Sequence, residues 1–258
     1  MKTRIRLKVA YDGTDYLGWQ RQKTTSATVQ GHIELALSQI FNEAIQVIGA
    51  SRTDTGVHAF GQNLHFDTSK DPSRYQLLRS LNSLLPHSIS ARQAWLVPEG
   101  FHALLSSRGK SYKYRIYNSP TPNPILRRYS HWEPRPLDLN FLQEASDFLL
   151  GEQDFKSFQT AGSPVPSTIR RIFKAHWQPV SGNLLEFHIV GSGFLKQMVR
   201  NILGSLLDLH FRQAPASRIQ EILAARDRRA ALGTAPPEGL FLMAVHYPKE
   251  TRQHCQAL

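Results

Sequence analysis

The sequence predicts an α+β fold in which two similar lobes carry antiparallel and mixed strands that share a central sheet, with helices packed on it. Three observations predict it. Short segments with period-two alternation recur in both halves of the 258 residues, segments of helical period alternate with them, and no long linker separates the halves. Hydrophobic residues make up 41% and aromatics 10%, which suffices for a sizeable core and excludes a disordered chain.

Each element follows from local chemistry. In residues 4–11, Ile5, Leu7, Val9 and Tyr11 share one face of a strand and Arg6, Lys8 and Ala10 the other; Asp12-Gly13 signals a turn. Thr28 is placed to cap a helix bearing Val29, Ile33, Ala36, Leu37 and Ile40 at helical spacing. Short strands are expected at Val47–Ala50 and Leu64–Phe66, flanking a loop from Ser51 to Gly61. A helix over Ser73–Leu85 ends at Pro86, and strands follow at Ile89–Val97 and Ser111–Tyr117. Five prolines between 120 and 136 interrupt regular structure. Asp138–Leu150 is a capped helix. Strands at Ile169–Trp177 and Leu184–Val190, helices at Phe194–Leu209 and Pro215–Ala225, and a strand at Leu240–Tyr247 complete the chain. Pattern alone divides it into a lobe over 1–105, a second over 106–248, and a tail over 249–258.

Lys and Arg number 31 against 20 acidic residues, a formal net charge of +11. That excess favours a polyanionic partner, because neutralised phosphates release counterions. The single cysteine, Cys255, cannot form an intramolecular disulfide. The N-terminus reads as a strand and not as a signal peptide, and no apolar run approaches the roughly 20 residues that span a bilayer. A cytoplasmic protein without a membrane partner is expected.

The richest chemistry lies in Gly49–Gln62, where Asp54 stands between Thr53 and Thr55 with Gly56 after it and Arg52 two residues before. On an extended segment Arg52 and Asp54 share a face, so Arg52 would pair with the carboxylate and keep it ionised, or grip a phosphate. Alternatively Asp54 caps a polar turn. Asp54-Thr55-Gly56 also suggests an aspartic hydrolase, but that chemistry needs two carboxylates sharing a proton, and no second such triplet exists. Gly191-Ser192-Gly193 lacks the marks of a nucleotide loop, the histidines lack zinc spacing, and no nucleophile elbow surrounds Ser106 and Ser107. No metal, nucleotide or other cofactor is expected. In Arg108–Tyr117 cations interleave with Tyr112, Tyr114 and Tyr117, which suits either a stacking surface for RNA or core tyrosines with a solvated cationic face. Arg200, near the apolar stripe of its helix, needs an acidic partner, with Asp54 and Asp208 as candidates. A non-catalytic RNA-binding module would explain the charge but not the Asp54 loop.

Taken together, Tyr11–Gln20, Ser51–Ala59, Phe194–Gly204 and Thr234–Leu240, with Phe101-His102-Ala103 followed by Tyr112-Lys113-Tyr114-Arg115, resemble the tRNA pseudouridine synthase A family. The resemblance implies an active-site cleft between the lobes and isomerisation of uridine to pseudouridine in the anticodon stem and loop of tRNA. It implies Asp54 as the nucleophile, attacking either the uracil ring or the ribose, and Arg52 as an aid to extruding the nucleotide. Tyr112 would stack on the uracil and help accept the C5 proton, and Arg200 would pair with the aspartate. His58, Gln62 and Met198 are expected as further substrate contacts. Lys196-Gln197 departs from the pair common in relatives. A homodimer is expected on the same ground.

Overall fold

A computed structural model describes residues 2–22, 25, 27–248 and the backbone of 256 and 257. Cys255 and the rest of the expected tail lie outside the described residues. The chain forms two compact units, residues 1–108 with 241–258, and residues 109–240.

The first unit is built on β1 (Thr3–Tyr11), α1 (Val29–Phe41), β2 (Ile48–Gly49), β3 (His58–Thr68), α2 (Leu77–Leu84) and β4 (Ile89–Val97). β10 (Leu240–His246) and β11 (Gln256–Ala257) return to it. Its strand order is β11-β4-β1-β3-β10, with β2 also on β3. β1 runs antiparallel to both β3 and β4, placing Leu7 opposite Leu64 and Ala94. The alternation in β1 therefore buries Ile5, Leu7 and Val9 completely. Thr28 caps α1 as its sequence dictates, its hydroxyl accepting from Gly31 N–H at 3.2 Å. Ile33, Leu37 and Phe41 are buried, and Phe41 meets Phe66 of β3 with ring centroids 5.8 Å apart. Each such side chain contributes on the order of 1.5–3 kcal/mol of burial.

The second unit holds β5 (Gly109–Asn118), β6 (His131–Glu133), α3 (Leu139–Asp147), β7 (Gly151–Asp154), β8 (Ile169–Val180), β9 (Leu184–Gly191), α4 (Met198–Phe211) and α5 (Arg218–Ala225). β5-β9-β8-β7 pair antiparallel in that order, and β6 lies parallel to β5. Tyr114, Phe187 and Trp177 stand in one cross-strand row and are buried. Trp177 Nε1 donates to Ser146 Oγ of α3 at 3.0 Å, so this row is the helix-covered face. Asp138 caps α3, accepting from Asn140 and Phe141 N–H.

The structure departs from expectation at specific elements. β3 begins at His58, where a loop was expected to continue to Gly61, because residues 58–63, polar and apolar alike, are almost all buried and show no alternation to read. Pro72–Arg74 form a separate 3-10 turn and α2 starts only at Leu77. α4 starts at Met198 and not at Phe194, because Gln197 takes a left-handed φ of 58° that an α-helix cannot contain. The short β6 and β7 carry no periodic signal and are missed. β10, grouped by chain position with the second lobe, pairs instead with β3 of the first unit. No helix among the described residues is long and apolar enough to cross a membrane.

Candidate active site

Asp54 sits half-buried in a loop between β2 and β3 whose backbone is held at several points. Gln62 reaches back from β3: its Oε1 accepts from Ser51 N–H at 3.2 Å and its Nε2 donates to Ser51 O at 2.6 Å. Thr53 O accepts from Trp19 N–H at 3.1 Å, and Thr53 Oγ1 lies 2.8 Å from Tyr11 Oη. Val57 N–H donates to Asp54 O at 3.1 Å, closing a four-residue turn with Gly56 third at φ +78°. Only glycine adopts that φ without strain at this position of a turn. Gly18, at φ +86°, lies against the loop itself. A Cβ there would stand 2.9 Å from Thr53 O, 3.2 Å from Thr55 N and 3.3 Å from Asp54 C. Gly18 O and Trp19 O also receive the first N–H groups of α1, from Val29 and Gln30. The segment Tyr11–Gln20 thus ties the Asp54 backbone to strand β1 and to the start of α1.

Arg52 is exposed and forms no ion pair with Asp54 among the described residues. The expected pairing of adjacent same-face side chains is therefore absent: the guanidinium points into solvent, where it remains able to meet a phosphate. His58 is 2% exposed. Its Nδ1 lies 3.1 Å from both Gly13 N and Asp12 Oδ1, and its ring stacks on Phe241 of β10 with centroids 4.7 Å apart. Gln62 has no exposed surface. Both were expected to touch substrate; in this structure Gln62 holds the Ser51 backbone and His58 Nδ1 meets the Asp12-Gly13 turn.

In the second unit, Tyr112 on β5 lies edge-on to Phe194, ring centroids 5.1 Å apart, and is largely buried. Met198, expected to touch substrate, is fully buried in the first turn of α4. Arg200, half-buried two residues further on, donates from Nε to Ala235 O at 2.8 Å, while Ala235 N–H returns a bond to Arg200 O at 2.9 Å. The stretch 232–235 runs along α4: Leu232 N–H donates to Ser205 Oγ, Gly233 N–H to Asp208 Oδ2 at 2.7 Å and Thr234 Oγ1 to Asn201 Oδ1 at 2.7 Å. Gly204 permits this approach, since a Cβ there would overlap the Gly233 carbonyl. Asp208, one candidate partner of Arg200, is thus engaged with the 232–235 backbone. Tyr114 donates its hydroxyl to Pro236 O at 2.9 Å, and burial drives its phenol pKa well above the ordinary value. Lys196 O accepts from Thr160 N–H, so Lys196-Gln197 form the non-helical entry to α4.

The fold brings Asp54, Arg52, His58 and Gln62 together in the first unit, and Tyr112, Met198 and Arg200 in the second. Gly18, Tyr11, Trp19 and Phe194 received no role from the sequence, although all lie in the family-like stretches. The signal that could have found Gly18 was a second glycine shortly after a strand that already ends in a glycine turn. No group of three His, Cys, Asp or Glu side chains is placed to hold a metal ion among the described residues.

The family model for tRNA pseudouridine synthase matches residues 8–103 and 145–248. The chain belongs to the tRNA pseudouridine synthase family, whose reaction isomerises uridine to pseudouridine in tRNA. Among its relatives, a tRNA pseudouridine synthase A of Bdellovibrio bacteriovorus is 49% identical over the whole of both chains. Proteins of the same name from Ruminiclostridium cellulolyticum and Coxiella burnetii are 42% and 40% identical, each over 95% of this chain and over 99% and 93% of their own. The aspartic-hydrolase and non-catalytic readings give way to this membership.

Proposed function

We propose that Asp54 is the nucleophile with which this chain converts uridine to pseudouridine in the anticodon stem and loop of tRNA. The observation that carries the assignment is the loop itself. A half-buried carboxylate stands on a backbone fixed by Gln62, Thr53 and Gly18, and preorganisation of a reacting group is where such a scaffold has value. The reacting base is stacked in the RNA, so extrusion costs a few kcal/mol. Arg52, exposed and without an ion pair among the described residues, supplies a cation for a phosphate of the extruded nucleotide. Asp54 then assists rupture of the bond between uracil N1 and the ribose. The base turns, C5 bonds to the sugar carbon, and the proton on C5 leaves to restore the aromatic ring. Tyr112 is assigned the stacking contact and a part in that proton transfer, and Arg200 the cation for the Asp54 carboxylate. Substrate, product and enzyme balance without an external oxidant or reductant.

Asp54→Asn keeps the shape and removes the nucleophile. Purified variant incubated with tRNA lacking pseudouridine is expected to form none while retaining tRNA affinity within about twofold of wild type. Pseudouridine formed at more than a hundredth of the wild-type rate would remove Asp54 from the role. Mapping the modified positions on that tRNA tests the anticodon assignment: product confined to another arm would refute it. The homodimer rests on the family resemblance, and a monomer in sedimentation at working concentration would overturn it.

A further inference from the structure

The face of the first unit's sheet that carries Arg6 and Lys8 holds a cavity of about 370 Å³ lined, among the described residues, by cations, amides and apolar groups and by no carboxylate. β1 contributes Arg6 and Lys8, β3 Asn63, β4 Gln93 and Trp95, and β10 His246. Register fixes this grouping: Lys8 stands opposite Asn63 on one side and Gln93 on the other, and Arg6 opposite Trp95. Arg6 is only 8% exposed. Its guanidinium carbon lies 4.5 Å from the Trp95 ring centroid, 4.3 Å from Tyr247 and 5.8 Å from Phe101, and its Nε donates to Asn63 Oδ1 at 2.8 Å. Aromatic faces around a guanidinium hold its orientation. Lys8 is half-buried beside it and adds a second cation.

A cavity with two cations, amide donors and a half-exposed indole suits a phosphodiester and a base, as in protein grooves that follow a nucleic-acid strand. We infer that this cavity holds one nucleotide of the bound tRNA apart from the uridine that reacts, with Lys8 and Arg6 on its phosphate and Trp95 as a stacking face. The inference rests on tRNA being the substrate. β3 leaves the Asp54 loop at His58 and reaches Asn63 five residues later, roughly 17 Å along an extended strand, so the two positions take different nucleotides.

The test is tRNA affinity across a salt series, with melting temperature and sedimentation measured on the same preparations. Lys8→Ala is expected to raise Kd about fivefold near 0.15 M salt and to lower the slope of log affinity against log salt by about 0.9, the effect of one lost phosphate contact. Gln93→Glu, which puts a carboxylate among the cations, is expected to weaken binding at least as much. Unchanged Kd and slope in both folded variants would overturn the inference. So would a changed sedimentation coefficient with tRNA affinity intact, since the face would then be a contact between copies of the chain. Wild-type pseudouridine formation, followed in parallel, reports on the activity assignment separately: its absence would strike that assignment and leave the salt series to judge this one.

Discussion

Gly18→Ala tests whether the Asp54 loop depends on the segment behind it. At φ +86° an alanine pays a backbone cost of about 1–2 kcal/mol that glycine does not. Its Cβ would also stand 2.9 Å from Thr53 O, so the loop must retreat by about half an ångström to reach ordinary contact. A displacement of ~1 Å at a reacting group costs on the order of a hundredfold in rate, so half of that predicts a roughly tenfold fall in kcat. Two controls separate the causes. Gly162 has φ +71° and nothing within 4 Å of an added Cβ, so Gly162→Ala carries the backbone cost alone. Gly100 has open space and no such φ, so Gly100→Ala carries neither. The assay is single-turnover pseudouridine formation beside thermal melting. Gly18→Ala and Gly162→Ala should both melt several degrees lower, at about 2–4 °C per kcal/mol for a chain of this size. Only Gly18→Ala should lose rate. If it melts lower yet turns over within twofold of wild type, the loop does not lean on Gly18 and the geometric argument fails.

Gln62→Leu deletes both bonds to Ser51 inside a dry site and is expected to cost roughly 2–4 kcal/mol in urea unfolding, together with kcat; a loss of stability without loss of kcat would separate Gln62 from the loop's function. Arg52→Ala removes an exposed side chain, so it should leave the melting temperature within about 1 °C while lowering kcat/KM; a fall in melting temperature at unchanged kcat/KM would assign Arg52 a structural role. Burial, helped by the charge of Arg4, lowers the His65 pKa to about 4, and its Nδ1 accepts from Ala103 N–H at 3.1 Å. The unfolded chain therefore takes up a proton that the folded chain refuses, and stability should fall as pH drops from 6.5 towards 4. His65→Gln keeps an acceptor and should flatten that window; an unchanged pH profile would refute it. Burial pushes the Glu186 carboxyl up, but hydrogen bonds from Arg115 and Lys113 outweigh it and bring the pKa to about 2. Its contribution is present above 4.5 and is lost as pH falls from 4.5 towards 2, below the His65 window.

What could be read from the sequence was periodic or chemically singular. β1, α1, β4 and the capped start of α3 carry clean alternation or a cap, and each forms within a residue or two of expectation. The Asp54 loop stood out because carboxylate, glycine and arginine crowd one short polar stretch. What could not be read depends on partners distant in sequence. β3 buries polar residues on both faces, so no alternation survives there. The burial of His58, Gln62 and Met198 has the same origin: their side-chain chemistry suits a substrate, but neighbours contributed by other elements enclose them. The start of α4 was misplaced because Gln197 takes a conformation its side chain does not announce.

The return of β10 to β3 makes completion of the support around the Asp54 loop a late event. Phe241 pairs beside His58 and lays its ring on the imidazole, yet it lies most of the chain's length downstream. A ribosome must deliver nearly everything else before that stack can form, so a nascent chain holds Asp54 without its finished support. Loop closure over such a span is slow compared with local helix formation.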